Sequence, residues 1–212
     1  REFSANVSHE LKTPLQGIIG SAELLENGMV KPEDTPRFLG HIRKEASRLV
    51  NLVEDIIRLS QLDEGVELPV EEVDLLELSE EVVGILETSA EKKRISLSVS
   101  GSGFTVLGVR RLLYESVYNL CDNAIKYNVP DGSVKISVEN RKLTVMDTGI
   151  GIPAEHQGRV FERFYRVDKS HSKASGGTGL GLSIVKHAVS YHKATMILES
   201  MPGQGTSITI QF

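Results

Sequence analysis

Apolar residues at positions 3, 7, 11, 15, 18, 22 and 25 recur every three or four residues, the spacing of an amphipathic helix. Residues 3–26 are therefore predicted to form one long helix. Asn27-Gly28 and Lys31-Pro32-Glu33-Asp34 break the pattern, and Phe38, Ile42, Leu49, Leu52, Val53, Ile56 and Leu59 resume it, predicting a second long helix. A short connection folds the two into an antiparallel hairpin, but a lone hairpin cannot cover two apolar stripes of this length. A partner hairpin is implied, most economically a symmetric four-helix bundle built from two copies of the chain.

After Leu62-Asp63-Glu64-Gly65 the character changes, and Gly65 and Pro69 punctuate a linker, so a second domain is expected from residue 66. Helical periodicity returns over 75–91, 112–127 and 182–190. Strand alternation is expected over 95–100, 134–138, 143–147, 196–200 and 206–212. The strands do not alternate regularly with helices, which argues against a doubly wound parallel sheet and for an α/β sandwich of mixed order. The predicted fold class is thus α followed by α/β: a helical hairpin over 1–65 and a sandwich over 66–212.

Composition adds boundaries rather than detail. With 40% hydrophobic and 25% charged residues over 212 positions, the chain matches ordinary globular proteins and has room for two domains. A net charge of -5 provides no basic footprint, so no nucleic-acid partner is expected. The single cysteine, Cys121, excludes an intramolecular disulfide framework and reads as a small packed hydrophobe. No apolar run approaches the roughly 20 residues that span a bilayer, and no signal peptide is visible. Residue 1 is Arg and Arg1-Glu2-Phe3 already reads as the interior of a helix, so the chain reads as a soluble piece of a longer one.

Candidate chemistry lies first on the opening helix. At about 100° per residue His9 falls roughly 200° from Val7 of the apolar stripe and should point outward. A neutral imidazole there carries a nitrogen lone pair able to attack phosphorus. Glu10 follows at once, and Thr13 lies one turn on over the same face. Pro14 cannot donate to the carbonyl of Glu10, so a kink just after the histidine is expected.

Three further segments suit a nucleotide. On the predicted helix of Asn119-Leu120-Cys121-Asp122-Asn123-Ala124-Ile125-Lys126-Tyr127, positions 119, 123, 126 and 127 share one face. Two amides, an amine and an aromatic converge there, and an amide carbonyl beside a triphosphate suits magnesium. Asp147-Thr148-Gly149-Ile150-Gly151-Ile152-Pro153 delivers a carboxylate from a strand into a glycine turn, where it can accept a hydrogen bond from an adenine amine. Gly176-Gly177-Thr178-Gly179-Leu180-Gly181-Leu182 runs into a helix, presenting backbone donors to phosphates. No Gly-Lys-Ser/Thr follows, so it is not a Walker loop, and its glycine spacing differs from the dinucleotide fingerprint. Phe161-Glu162-Arg163-Phe164-Tyr165-Arg166 and the polar run to Ser175 read as a lid over bound nucleotide. Read one by one, each segment also fits an ordinary surface helix or turn.

Together the motifs carry a resemblance. Ser8-His9-Glu10-Leu11-Lys12-Thr13-Pro14-Leu15 is similar to the phosphoacceptor box of bacterial sensor histidine kinases. The later segments resemble, in order and spacing, the asparagine, first glycine, phenylalanine and second glycine boxes of their ATP-binding domains. The resemblance implies the Bergerat-type ATP fold shared with gyrase, mismatch-repair and chaperone ATPases. It implies ATP and Mg²⁺ as cofactors, with His9 as phosphoacceptor, Glu10 as the acid or base that orients the imidazole and takes its proton, and Thr13 positioning water for dephosphorylation. It further implies that Asn123 holds the metal, that Asn119 and Lys126 contact phosphates or the metal's waters, and that Asp147 reads adenine. Tyr127, Gly149, Gly151, Ile152, Phe164, Arg166, Gly177, Thr178, Gly179, Leu180, Gly181 and Leu182 complete the implied nucleotide site. The implied activity is autophosphorylation of His9 and transfer to an aspartate of a response regulator receiver domain, with dephosphorylation of that regulator as a second activity. The implied setting is a homodimer forming the cytoplasmic part of a membrane protein.

Two departures stand out: Gly108-Val109 where many relatives have Gly-Asp, and Tyr191-His192-Lys193-Ala194 in place of a glycine pair. They bear on local loop geometry, and His187 and His192 are expected at the surface. Two other classes fit parts of the sequence, an ATPase that uses nucleotide only to close a dimer and a nucleotide-binding scaffold without transfer. His9 and its box argue against the first, the intact nucleotide motifs against the second.

Overall fold

A computed structural model describes residues 2–63, 68–167 and 177–212. The chain divides into two units, one helical and N-terminal, the other holding all the described strands.

In the helical unit, α1 (Glu2–Glu26) and α2 (Thr35–Asp63) are joined through a short turn that includes a 3-10 helix at Pro32–Asp34. Gly28 sits at φ +64 just past α1, the left-handed conformation that ends helices at low cost. The helix runs through Pro14 without interruption, so the expected kink does not break it. Within the single chain, Leu15, Ile19, Leu24, Leu39, Val50, Val53 and Ile57 remain exposed.

In the second unit, β1 (Glu71–Asp74) and β3 (Thr105–Gly108) form an antiparallel pair, and α3 (Leu75–Lys92) lies between them in sequence. Asp74 starts α3 by accepting the N–H groups of Leu76 and Glu77 at 2.8 and 3.1 Å, the bonds of a side-chain N-cap. Next come β2 (Ser96–Ser100), α4 (Arg110–Lys126), β4 (Ser133–Glu139) and β5 (Lys142–Asp147). The short α5 (Ala154–Gln157), α6 (Gly181–Tyr191), β6 (Thr195–Met201) and β7 (Gly205–Gln211) complete it. A five-stranded sheet runs in the order β2-β4-β5-β7-β6. Only the β2–β4 pair is parallel, so the sheet is not the doubly wound parallel one that the sequence argued against.

The core lies between one sheet face and the helices. Val134, Ile136 and Val138 of β4, Leu143 and Val145 of β5 and Ile208 and Ile210 of β7 meet Leu78, Val82 and Leu86 of α3, Val117, Leu120 and Cys121 of α4, and Val185 and Val189 of α6. The other sheet face is more polar, with Thr144 and Thr209 opposite each other in register and their hydroxyls 2.9 Å apart. Cys121 is fully buried, and burial pushes its thiol up to about 12, with Asp122 adding to the shift. The short strands β1 and β3 are absent from the sequence-based expectation. Each has four residues and pairs across some thirty positions, so each is held by its partner rather than by its own pattern.

His192 corrects a second expectation. It is half-buried, not at the surface, because its ring packs against Gly108, where an added Cβ would lie 2.6 Å from ring atoms. His187 is also half-buried. The neighbouring departure is visible in the backbone: Lys193 adopts φ +54, where a Cβ crowds the following carbonyl and glycine does not. Lys193→Gly is therefore expected to stabilise the protein by about 1 kcal/mol, read as a rise in the thermal midpoint of about 2–4 °C. An unchanged or lower midpoint would show that the lysine side chain offsets its backbone cost.

Candidate functional site

The helical unit presents His9 on its surface and Thr13, half-buried, one turn further along α1. The Thr13 hydroxyl donates to the His9 carbonyl at 3.2 Å, anchoring it to the backbone of the histidine. Pro14 has no N–H to offer the carbonyl of Glu10. Arg48 of α2, only 8% exposed, reaches the Glu10 carboxylate at 3.5 Å and that of Glu45 at 3.8 Å. A buried guanidinium thus faces the carboxylate next to the exposed imidazole. Sequence reading missed Arg48, because the pairing depends on the register of the hairpin, 38 residues apart in the chain.

In the second unit the last residue of β5 is Asp147. Its Oδ1 accepts the N–H of Gly149 at 2.7 Å and that of Thr206 at 3.2 Å, the latter supplied because Thr206 is its register partner on β7. Burial raises the carboxyl above its ordinary value, and the two backbone donors oppose that shift. Both donors lie on one oxygen, and among the described residues no donor reaches Oδ2. Gly149 allows this packing: an added Cβ would lie 2.4 Å from the Tyr127 carbonyl oxygen. At Gly151, φ is +68 and a Cβ would lie 2.0 Å from the Met201 carbonyl oxygen. The Ile152 N–H donates to the Ser200 hydroxyl at 2.8 Å, and Gln157 donates to the carbonyls of Ile152 and Ser200 at 2.8 and 2.9 Å. These bonds fasten the turn to β6. Thr206, Ser200 and Gln157 were not identified from the sequence, since strand register alone brings them to Asp147 and its turn.

Along α4, Asn119 donates to the Glu115 carbonyl at 2.8 Å. Its Oδ1 faces the first residue of α6, where a Cβ on Gly181 would come within 2.8 Å. The structure thus brings the asparagine segment against the second glycine segment. Asn123 is half-buried one turn further on. The Lys126 ammonium pairs with Asp122 at 2.6 Å, and Tyr127, 38% exposed, ends the helix and takes the Ile150 N–H on its carbonyl at 3.0 Å. Lys93, also missed, donates to the carbonyls of Ile125 and Lys126 at 3.2 and 3.0 Å, placing a cation at the C-terminus of α4. Burial lowers its pKa, with Asp122 opposing and Lys126 adding to the shift.

Phe164, at φ +65, donates its N–H to the Gly179 carbonyl at 2.9 Å. Gly179, at φ +75, has no room for a Cβ against the Phe164 backbone, 3.0 Å away. Leu180 is buried, Leu182 packs on the core and Arg166 is half-buried. Gly177 and Thr178 group with the helical unit. Residues 168–176, the later part of the expected lid together with Gly176, lie outside the described residues.

Among the described residues no cluster of three His, Cys, Asp or Glu forms that could hold a metal. The amide of Asn123 fits a cation that keeps waters and takes most of its ligands from phosphates, as magnesium does.

Known proteins match both halves. Residues 1–65 match the His Kinase A (phospho-acceptor) domain, and residues 108–212 match the histidine kinase-, DNA gyrase B-, and HSP90-like ATPase family. The sensor-like histidine kinase SenX3 of Mycolicibacterium smegmatis is 40% identical over 99% of this chain, which spans 56% of its length. The histidine kinase ThkA, solved in complex with the response regulator protein TrrA, aligns over 99% of this chain and 60% of its own at 25% identity, TM-score 0.77. Full-length ShkA in complex with AMPPNP aligns over 99% of this chain and 45% of its own at 28% identity, TM-score 0.71. With a phosphoacceptor helix in one unit and an ATPase-type sandwich in the other, this chain belongs to the two-component sensor histidine kinases.

Proposed function

We propose that the chain transfers the γ-phosphoryl group of ATP to its own His9 and passes it to an aspartate of a response regulator. The observation that carries this reading is an exposed His9, beside Glu10 and Thr13, in the same chain as a strand-end Asp147 whose Oδ2 is left for an adenine amine. A likeness to ShkA with AMPPNP supports the nucleotide, and a likeness to ThkA with TrrA supports the partner. The apolar residues left exposed on α1 and α2 support a dimer, since two copies packed as a four-helix bundle would cover them. The domain boundary is taken at 65/66, and the chain is read as the cytoplasmic part of a membrane-anchored protein. No described helix is long and apolar enough to cross a membrane.

In the reaction, a ring nitrogen of His9 attacks the γ-phosphorus, the bond to the ADP oxygen breaks, and the proton on the other ring nitrogen passes to Glu10. Arg48 holds the Glu10 carboxylate for that step, and Thr13 places water when the regulator is dephosphorylated. Asp147 fixes the adenine, and Asn119 and Lys126 face the phosphates, together with the backbone donors at the start of α6. Magnesium on Asn123 would neutralise phosphate charge. Alignment and charge compensation supply most of the acceleration in such transfers.

Incubation with γ-labelled ATP and Mg²⁺ should leave an acid-labile, base-stable label on the chain that His9→Gln abolishes. Absence of label from a chain that still binds ATP would refute the kinase reading. Asp147→Asn keeps an acceptor for Gly149 and Thr206 but turns an N–H₂ toward the adenine amine. Nucleotide affinity should fall about 10- to 100-fold, the worth of roughly 1.5–3 kcal/mol for a hydrogen bond to a charged group. The sign of the stability effect is opposite. A carboxyl raised on folding destabilises the fold once ionised, increasingly as pH rises through its unfolded value of 3.8. Near pH 7 the asparagine variant should therefore melt no lower than the parent, whereas a lower midpoint would show that the charge itself is needed for folding.

A further inference from the structure

One contact of the second unit remains without a role. The His192 Nε2 accepts the Val109 N–H at 3.0 Å, and its Nδ1 lies 2.7 Å from the Ala188 carbonyl oxygen. These partners assign the neutral tautomer with hydrogen on Nδ1. Val109 is the N-cap of α4 and has no side-chain cap bond, so the first turn of that helix lacks the acceptor that Ser, Thr, Asp or Asn would bring. His192, the C-cap of α6, takes a different donor at that end, the N-cap residue's own N–H, from 83 residues away.

The position of this bond matters. Helices α4 and α6 pack on each other, and two close approaches fix how they lie. Gly181, at the start of α6, meets Asn119 in the middle of α4, whereas His192, at the end of α6, meets Val109 at the start of α4. The helices therefore run antiparallel. The two approaches are about 15 Å apart along α4 and about 16 Å apart along α6, at roughly 1.5 Å per residue. Such matched spans make the pair a two-point clamp. Gly108 belongs to it: a Cβ there would collide with the ring at 2.6 Å.

We propose that His192 is a positioning residue of the nucleotide site: by tying the end of α6 to the start of α4 it sets the register of Asn119, Asn123 and Lys126 against the glycine turn at Gly181. This rests on the nucleotide site proposed above. Around the ring, Tyr191 packs at 5.4 Å between centroids, and Lys193 follows in the chain. Arg110 follows Val109 and is paired with Glu81 at 2.7 Å. Burial lowers the imidazole below its ordinary value, and the Ala188 bond partly offsets this. Protonation of Nε2 would set two N–H groups against each other at the clamp. Stability contributed by the neutral ring is complete above 6.5, declines as pH falls below it, and the clamp itself opens below the lowered folded value.

The test compares the parent chain with His192→Gln, whose amide can accept at the place of Nε2 but does not titrate, and His192→Phe, which keeps a ring without an acceptor. ADP binding is measured by calorimetry at pH 8, at temperatures where melting curves show all three folded. At pH 8 the glutamine variant should bind like the parent, and the phenylalanine variant roughly 3- to 10-fold more weakly, the fold-change of one lost hydrogen bond. A folded phenylalanine variant with parental affinity at pH 8, or a folded glutamine variant that binds as weakly as the phenylalanine one, would overturn the proposal. Absence of ADP binding in all three chains would overturn the nucleotide site itself, and the inference with it.

Discussion

A carboxylate carried into partly buried surroundings at the end of a strand must be given donors, because an ionised group deprived of water is costly unless hydrogen-bonded. Much of the second unit is arranged around meeting that need for Asp147. The β5–β7 register sets Thr206 opposite it, and the chain doubles back so tightly that Gly149 can donate to the same oxygen. The return strand passes so close that a Cβ on Gly205, at φ +92, would lie 1.9 Å from the Asp147 carbonyl oxygen. The β5–β7 register and the tight turn after β5 thus supply the two donors of one side chain.

The same economy governs the helices. Asn119 of α4 comes up against the start of α6, and a glycine at 181 makes the approach possible. Lys93 compensates the carbonyls at one end of α4 and His192 the N–H at the other. A helix that carries an asparagine, a second asparagine and a lysine on one face is thereby held at both ends by groups distant in sequence.

The parts of this architecture legible in the sequence are those written in local periodicity or in local chemistry. The two long helices were readable because their stripes repeat over many turns, and the strands of the five-stranded sheet because each alternates by itself. The carboxylate-to-glycine turn was readable because strand, acid and glycines are contiguous. Illegible were the groups whose meaning depends on strand register or helix docking: Thr206 opposite Asp147, Ser200 under the glycine turn, Arg48 across the hairpin, and the pair β1–β3. His192 was misread for that reason, because a histidine beside a lysine at a helix end has no local feature marking it as buried against Gly108.

Cys121 has a practical consequence. A thiol that burial keeps protonated and that has no exposed surface is chemically silent toward maleimides, since the thiolate is the nucleophile. The chain therefore comes with an unreactive native background for site-directed labelling. Cysteines introduced in pairs, one on α1 or α2 and one on the outer strand β6, would carry spin labels or fluorophores without prior removal of the native residue. Distances between such labels, with and without added nucleotide, then become readable by spectroscopic rulers in an otherwise unaltered protein.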